Sequence, residues 1–330
     1  MVDTVYIERD LLQHPRSATI LDRLPRATRV EIDRWGEVFN PKAQNFRLQK
    51  QHPALILARK HDHQVLAAPD GYGVGGSHNY YFSHMLNCLY DCRYCFLQGM
   101  YRSAHQVVFI NFEDYTQAIE RRAAQHPDQP VWFYSGYDCD SLAYEPVTHF
   151  VDHYLPELAR IPNAWLEIRT KSTQVRQLLH HPVNPRTVVA FSFCDEVVHR
   201  HAEHQVPSID RRLDAMLKLA AVGWRLGLRF DPIIYHRDYQ PAFRALLQKL
   251  FAVLPVASLH SVSLGNFRLP KQNFNIMRGL YPEEKIFNQP FTHEHGMVTY
   301  GPELEQEMMS FCENELLGYI PDSIYFPCSW

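Results

Sequence analysis

The chain has 330 residues, of which 46% are hydrophobic, enough to bury a core in one large domain or in one large and one small domain. A net charge of −3 excludes the strongly basic composition of proteins that bind nucleic acid through charge alone. Seven cysteines, three of them in one short motif, argue against a disulfide framework, and no apolar run is long enough to span a membrane.

Charge is distributed unevenly along the chain. The first 60 residues contain 11 Lys and Arg against 7 Asp and Glu, whereas the last 50 contain 1 against 9. A solvated surface produces such a local excess more often than a binding patch does. The first residues show no signal-peptide pattern, so we expect a cytoplasmic protein without a membrane partner, whose thiols stay reduced.

Residues 1–75 are predicted to form a small N-terminal α/β module. Residues 5–7 and 54–57 are short runs of the β type, and the sequence between them is rich in arginine. These arginines fit either a solvated helix face or contacts to phosphate. Residues 69–76 contain several glycines, but no Lys-Ser or Lys-Thr pair follows, which excludes a nucleotide P-loop.

A Cys-x₃-Cys-x₂-Cys motif follows this module and consists of Cys88, Cys92 and Cys95. A structural zinc site needs four ligands, usually in two separated pairs, and no further Cys or His lies close by. A 4Fe–4S cluster normally takes four thiolates, so three would leave one iron open to a small molecule. A structural metal knuckle or a chance group of cysteines are the alternatives.

The spacing of this motif resembles that of the radical S-adenosylmethionine (SAM) superfamily. The resemblance implies that the open iron binds the amino and carboxylate groups of SAM. One electron from the cluster would then cleave a C–S bond of SAM and yield a 5′-deoxyadenosyl radical. The aromatic residues Tyr94 and Phe96, which flank the third cysteine, also suit the motif.

Short apolar runs alternate with helical periods through residues 76–330, a pattern typical of parallel βαβ units. The runs predict six strands, at residues 80–86, 131–134, 164–168, 188–193, 226–230 and 258–264. Helices are predicted at residues 113–125, 147–159, 173–180, 209–222, 239–253 and 303–316. Six such units predict a partial (β/α)₆ barrel of the TIM type with a C-terminal helical extension, since a full barrel needs eight.

Polar residues follow the predicted strands at the end where such barrels carry their chemistry. A ring of polar side chains at that end would form a ligand pocket. Its members are Ser135, Gly136, Tyr137, Asp138, Cys139 and Asp140 after the second strand, Lys171 after the third, Ser192 on the fourth, Asp231 and His236 after the fifth, and Asn266, Arg268 and Lys271 after the sixth.

The order of these segments resembles the spore photoproduct lyase family, whose radical SAM enzymes revert a methylene-bridged thymine dimer in ultraviolet-damaged DNA. The cysteine motif, Lys171 and Ser192 all match the family pattern, and in the family the segments of the last two line the SAM pocket. The resemblance therefore implies a carbon–carbon lyase that binds SAM through Lys171, Ser192, Ser135, Gly136 and Asp231. Arg268, Lys271 and His236 are expected to contact substrate.

The sequence departs from the family where hydrogen atoms are transferred. In the family, a cysteine after the second strand donates a hydrogen atom to the product radical, and here Tyr137 takes that position. A tyrosine after the third cluster cysteine relays the atom towards SAM, and here Phe96 has no hydroxyl. Cys139, Tyr94 and Tyr137 are the candidate replacements, although Cys139 also fits a small buried thiol.

Two hypotheses follow for the substrate. The enzyme acts on damaged DNA, or it acts on a peptide or small metabolite with the same scaffold. An iron–sulfur protein for electron transfer would need the cluster but not the residues expected to bind SAM. A reductant such as flavodoxin or ferredoxin is expected as a partner.

Overall fold

Eighteen strands and twelve α-helices make up residues 2–328, the part of the chain that the computed structural model describes. The strands are β1 (Thr4–Glu8), β2 (Thr28–Ile32), β3 (Leu55–Ala58), β4 (Leu66–Ala67), β5 (His78–Phe82), β6 (Met85–Leu86), β7 (Asp91–Cys92), β8 (Gln106–Phe109), β9 (Val131–Ser135), β10 (Ala164–Thr170), β11 (Thr187–Ser192), β12 (Glu203–His204), β13 (Arg225–Ile233), β14 (Leu259–Asn266), β15 (Leu269–Pro270), β16 (Phe291–Glu294), β17 (Met297–Tyr300) and β18 (Tyr325–Pro327).

The helices are α1 (Pro15–Asp22), α2 (Gly36–Phe39), α3 (Phe46–Gln51), α4 (Phe112–Ala124), α5 (Glu145–Thr148), α6 (Phe150–Ala159), α7 (Arg176–His180), α8 (Glu196–Ala202), α9 (Ile209–Ala221), α10 (Tyr239–Phe251), α11 (Lys271–Leu280) and α12 (Pro302–Leu317). Within residues 2–328, none of them is long and apolar enough to cross a bilayer.

An eight-stranded sheet forms the centre of the molecule, in the order β18-β14-β13-β11-β10-β9-β5-β4. All neighbours in it pair in parallel except β4, which lies antiparallel at one edge. Every residue of β9 and β11 is buried, as expected for parallel strands covered on both faces. The partial α/β barrel and five of the six predicted strands are confirmed, whereas the strand predicted over residues 80–86 is divided into β5 of this sheet and β6 of a second sheet.

The predicted helices are confirmed with two changes at their ends. The helix predicted over residues 147–159 is broken at His149, which adopts a left-handed conformation with φ of 49°. The helix predicted from residue 173 begins later, because the Ser172 hydroxyl accepts a hydrogen bond from the Gln174 backbone and forms a turn. The hairpin of β16 and β17 and the helix α11 were not predicted.

A second, five-stranded sheet has the order β2-β1-β3-β8-β6. Its apolar core contains Val5, Leu55, Leu57, Met85 and Val108. Two of its strands, β6 and β8, lie beyond residue 75, so the N-terminal sheet is completed by the chain that follows the predicted boundary. The boundary itself stays a prediction. The loop with the three cysteines connects β6 to β8 and is therefore held at both ends by this sheet.

Candidate active site

A cavity of about 1080 Å³ lies at the carboxyl ends of the parallel strands. The sequence-predicted residues that line it are Cys88, Cys92, Tyr94, Cys95, Gly136, Tyr137, Cys139, Asp140, Lys171, Ser192, Asp231, Asn266 and Arg268. They come from the cysteine loop and from the ends of β9, β10, β11, β13 and β14. Parallel topology thus brings together residues that are far apart in the sequence.

Four other predicted residues, Ser135, Asp138, His236 and Lys271, are not part of the cavity lining in the described chain. The Ser135 hydroxyl lies in the sheet, 2.8 Å from Ser141 Oγ, and donates to the Glu167 carbonyl at 3.0 Å. His236 contacts Asp195 at 3.2 Å, and Lys271 is exposed at the start of α11. Their roles in binding stay predictions that this geometry does not support.

The cysteine loop is held by hydrogen bonds from several elements. The strand β7, which contains Cys92, pairs antiparallel with β12, and the Arg93 backbone donates to the Ala202 carbonyl at 2.7 Å. From α3, the Lys50 ammonium donates to the carbonyls of Cys88 and Tyr90 at 2.7 and 2.9 Å. The N-terminal module therefore supplies a cation to the back of this loop, a contact that sequence analysis missed.

The three thiols suit an iron–sulfur cluster better than a single metal ion. Within residues 2–328, no three His, Cys, Asp or Glu side chains converge closely enough to hold one ion. In a 4Fe–4S cluster each thiolate binds its own iron, so the sulfur atoms need not converge on one point. Burial raises the pKa of Cys88 to about 12, and it also raises the pKa of Cys92 and of Cys95. Thiolates at this site therefore require a positively charged partner such as iron.

A buried carboxylate, Glu203, lies behind the cysteine loop and joins four side chains. It accepts hydrogen bonds from the Tyr94 hydroxyl and, at 2.9 Å, from Arg212, while Lys171 Nζ lies at 3.7 Å. His199 contacts it at 2.9 Å. Burial opposes ionisation, but Arg212, His199 and Lys171 outweigh this and hold the pKa of Glu203 well below its usual range. The Tyr94 phenol therefore donates its hydrogen bond to an ionised carboxylate.

The loop after β9 is fixed by Asp140. One carboxylate oxygen accepts from the Thr170 hydroxyl at 2.7 Å, and the other accepts from the Lys171 backbone at 2.6 Å. Gly136 has φ of +81°, and a Cβ there would lie 2.5 Å from Ser141 Oγ and 3.0 Å from the Arg169 carbonyl. Only glycine fits this position, which lets the backbone approach β10 beside Lys171.

An aromatic cluster surrounds Tyr137, one of the candidate catalytic residues. The Tyr81 ring stacks on the Tyr137 ring at a centroid distance of 4.3 Å. Phe96 lies at 5.7 Å and Tyr72 at 6.0 Å from the same ring. Planar rings of this kind provide stacking surfaces for bases. The cluster contains phenol groups but no thiol.

Cys139 lies at the edge of the cavity, with most of its side chain in an apolar cluster. The cluster, which includes Val5, Leu55, Met85 and Tyr144, belongs to the core of the N-terminal sheet. Burial raises the pKa of Cys139 well above its ordinary value. The environment is that of a small buried thiol, and its role as hydrogen donor stays a prediction.

The opposite side of the cavity is formed by the ends of β13, β14 and β18. Asp231, Asn266, Arg268 and Cys328 line it there. The sequence pattern identified the first three as strand-end residues. Cys328 was missed, because it lies more than 60 positions after the last strand of the predicted barrel and follows the short strand β18. We call Lys50, Cys88, Cys92, Cys95, Lys171, Ser192, Glu203 and Arg212 the cofactor half of the site, and Tyr72, Tyr81, Phe96, Tyr137, Asn266, Arg268 and Cys328 the substrate half.

Comparison with known proteins confirms the resemblance noted from the sequence. The family model for spore photoproduct lyase matches residues 74–303. Spore photoproduct lyase of Bacillus subtilis is 25% identical over 202 residues, which are 60% of this chain and 59% of that protein. The lyase of a Geobacillus species is 24% identical over 238 residues, which cover 68% of this chain and 70% of its own.

Solved structures show the same fold. A double mutant of spore photoproduct lyase with bound AdoMet and dinucleoside spore photoproduct superposes with a TM-score of 0.88 at 19% identity, covering 100% of this chain and 99% of that one. A lyase complexed with dinucleoside spore photoproduct gives a TM-score of 0.86, also at 19% identity, covering 100% and 98%.

Proposed function

Because this chain belongs to the spore photoproduct lyase family, we propose that it is a radical SAM enzyme that reverts a methylene-bridged thymine dimer in DNA. One observation carries the proposal. Three thiols, Lys171 and Ser192 line a single cavity at the strand ends, which is where barrels of this kind carry their chemistry.

Cys88, Cys92 and Cys95 would hold the 4Fe–4S cluster, and Lys171, Ser192, Gly136 and Asp231 would contact SAM. When bound, the cluster and SAM supply a 5′-deoxyadenosyl radical. The protein's contribution is position and charge. Glu203, which is paired with Arg212, contacts the Lys171 ammonium and accepts a hydrogen bond from the Tyr94 phenol. Asp140 fixes the backbone of Lys171. Together these contacts orient Lys171 and Tyr94 before any ligand binds.

The substrate half fits two joined bases. The rings of Tyr72, Phe96 and Tyr137 offer stacking surfaces, and Arg268 offers a cation to a phosphate or a carbonyl. A negative overall charge means that DNA would be held through this local site rather than through charge alone. A reductant such as flavodoxin or ferredoxin would supply the electron.

The test uses anaerobically reconstituted protein, a chemical reductant, SAM and a defined spore-photoproduct dinucleotide. We expect release of thymidylyl-thymidine, measured by chromatography with mass detection. An irradiated DNA duplex should show loss of the same lesion. A protein that cleaves SAM but leaves both substrates untouched acts on something else, such as a peptide or a small metabolite. A protein that binds a cluster but does not bind SAM would instead be an electron carrier.

A further inference from the structure

Cys328 belongs to the substrate half and lines the cavity, although it is far from the cysteine loop in the sequence. Its backbone N–H donates to the Leu264 carbonyl at 2.9 Å, which fixes the residue beside the end of β14. The neighbouring Gly265 has no Cβ, and one built there would lie 3.0 Å from both Cys328 Cβ and Asp231 Oδ1. A glycine at this point therefore allows the thiol-bearing residue and the carboxylate to approach each other at the cavity wall.

A second observation shows that this wall is built to receive a ligand. Asn266 lines the cavity next to Gly265 and is only 4% exposed. Its side-chain oxygen accepts no hydrogen bond from any residue within 2–328. Buried amide oxygens are almost always satisfied, so this one calls for a donor from outside residues 2–328. The imide N–H of a thymine ring is a donor of the right kind.

Cys139 and Cys328, the two cavity-lining cysteines outside the cysteine loop, differ in their surroundings. Cys139 is in the apolar core of the N-terminal sheet, whereas Cys328 is beside Asp231, Asn266 and Arg268. The Arg268 guanidinium lies 3.5 Å from the Cys328 carbonyl. A ligand whose imide is held by Asn266 would therefore be close to Cys328, whereas the Cys139 side chain packs in that apolar core.

We propose that Cys328, and not Cys139, donates the hydrogen atom that completes the repair, with Asn266 holding the thymine ring that receives it. The inference rests on the proposed function. It also accounts for the departures from the family, because Tyr137 and Phe96 lack the thiol and the hydroxyl expected at their positions, while Cys328 supplies a thiol to the same cavity.

The hydrogen-atom transfer from Cys328 conserves atoms and electrons. The carbon-centred radical left on the thymine after cleavage takes the hydrogen atom of the Cys328 S–H bond, so a C–H bond forms and a thiyl radical remains. One electron from the low-potential reductant that also reduces the cluster, together with one proton from water, restores the thiol. Each repair then uses two electrons and one SAM. Burial, and next the Asp231 carboxylate, raise the pKa of Cys328 to about 11, which keeps the hydrogen on sulfur at neutral pH.

The test follows deuterium into the product. Thiol hydrogens exchange with solvent, so wild-type protein in D₂O should release thymidylyl-thymidine with one deuterium on carbon. Cys328→Ser preserves the size of the side chain, but its O–H bond is too strong to donate. We expect this variant to lose most of the deuterated product and to form adducts instead, at unchanged iron content. Cys139→Ser is the matched control and should behave as wild type.

The outcomes separate the two claims. Clean, deuterated repair by Cys328→Ser, or its loss in Cys139→Ser alone, overturns the assignment of Cys328 and leaves the proposed function intact. Failure of wild-type protein to repair the dinucleotide while it cleaves SAM overturns the proposed function, and the assignment falls with it.

A second measurement does not depend on turnover. The loaded protein without reductant is treated with N-ethylmaleimide at pH 8.5, and modified cysteines are identified by peptide mass spectrometry. We expect modification of Cys328 to slow at least tenfold when the dinucleotide is added, and to regain its rate in Asn266→Ala, while Cys139 stays unmodified throughout. Equal modification of Cys328 with and without saturating dinucleotide would overturn the inference.

Discussion

The cofactor half and the substrate half of the cavity differ in how completely their polar groups are paired. In the cofactor half, Glu203 contacts Arg212, Lys171, His199 and the Tyr94 hydroxyl, and Lys50 donates to two loop carbonyls. In the substrate half, the Asn266 oxygen lacks a hydrogen bond within residues 2–328. The charged groups behind the cysteine loop are therefore paired within the protein, whereas a buried acceptor in the substrate half is not.

This difference parallels the comparison with the family. The cysteine motif, Lys171 and Ser192 match the family pattern, and these residues belong to the half that is held rigidly. Tyr137 and Phe96 depart from the family pattern, and they belong to the substrate half. Under the proposed function, a site for generating the radical that keeps the family pattern is thus joined to an altered site for quenching it. The following predictions test each half in turn.

The largest effect is expected for Cys92→Ala. Two thiolates cannot securely hold four irons, so the variant should lose the cluster. Iron and sulfide analysis of anaerobically reconstituted protein measures this, with Cys139→Ser as the control that keeps its iron. Zinc in place of iron in the wild type would contradict the assignment of the cofactor half.

Glu203→Gln should destabilise the fold, because it leaves the buried Arg212 guanidinium without its counter-ion. Removing one partner of a buried ion pair costs about 3–5 kcal/mol. Urea unfolding gives the free energy, and Glu196→Gln, exposed on α8, is the matched control with an effect below about 1 kcal/mol. Equal stability of both variants would show that the Glu203 contacts do not hold this half together.

Lys171→Ala should weaken SAM binding by about ten- to a hundredfold, since a hydrogen bond to a charged group contributes about 1.5–3 kcal/mol. Equilibrium binding to the reconstituted protein without reductant measures the affinity. Lys171→Arg keeps the charge and should recover part of it. Unchanged affinity in the alanine variant would place the ammonium outside the SAM site.

The smallest effect is expected for a contact outside both halves. Arg16 on α1 lies 2.6 Å from Glu113 on α4. Burial disfavours the charged form of Glu113, but the hydrogen bonds from Arg16 outweigh burial and lower the pKa of Glu113 to about 2. The stabilisation is therefore present above pH 4.5 and lost as the pH falls towards 2, and since Glu113 is half exposed it is worth less than about 1 kcal/mol. Unfolding of Glu113→Gln between pH 2 and 6 should show a smaller pH dependence than wild type. An identical pH dependence in wild type and variant would show that the contact between Arg16 and Glu113 does not stabilise the fold.

The sequence predicted β9, β10, β11, β13 and β14 because parallel strands buried on both faces appear as uninterrupted apolar runs, as in β9 and β11. It also placed Lys171, Ser192 and Asp231 at the cavity, since strand ends converge by topology. It could not distinguish which strand-end residues turn inward. Ser135, one residue before Gly136, points into the sheet, and Lys271 is exposed although Pro270 and Asn273 on either side of it line the cavity.

The buried network around Glu203 was beyond prediction for a different reason. Its partner Tyr94 is 109 positions away, and nothing local marks either residue. Likewise, Cys328 reaches the cavity only because β18 pairs with β14, a contact between segments about 60 residues apart. Sequence proximity favoured Cys139 as hydrogen donor, whereas the fold places its side chain in the apolar core.

The measurement that tests the central claim most directly is the ratio of 5′-deoxyadenosine released to thymidylyl-thymidine formed, followed over many turnovers of the dinucleotide. An intact radical-generating half joined to an altered quenching half predicts a ratio of about one, because Phe96 cannot return the hydrogen atom towards SAM and the cofactor is consumed. A ratio far below one would show that SAM is regenerated, and would contradict the claim that the hydrogen-return path has been replaced.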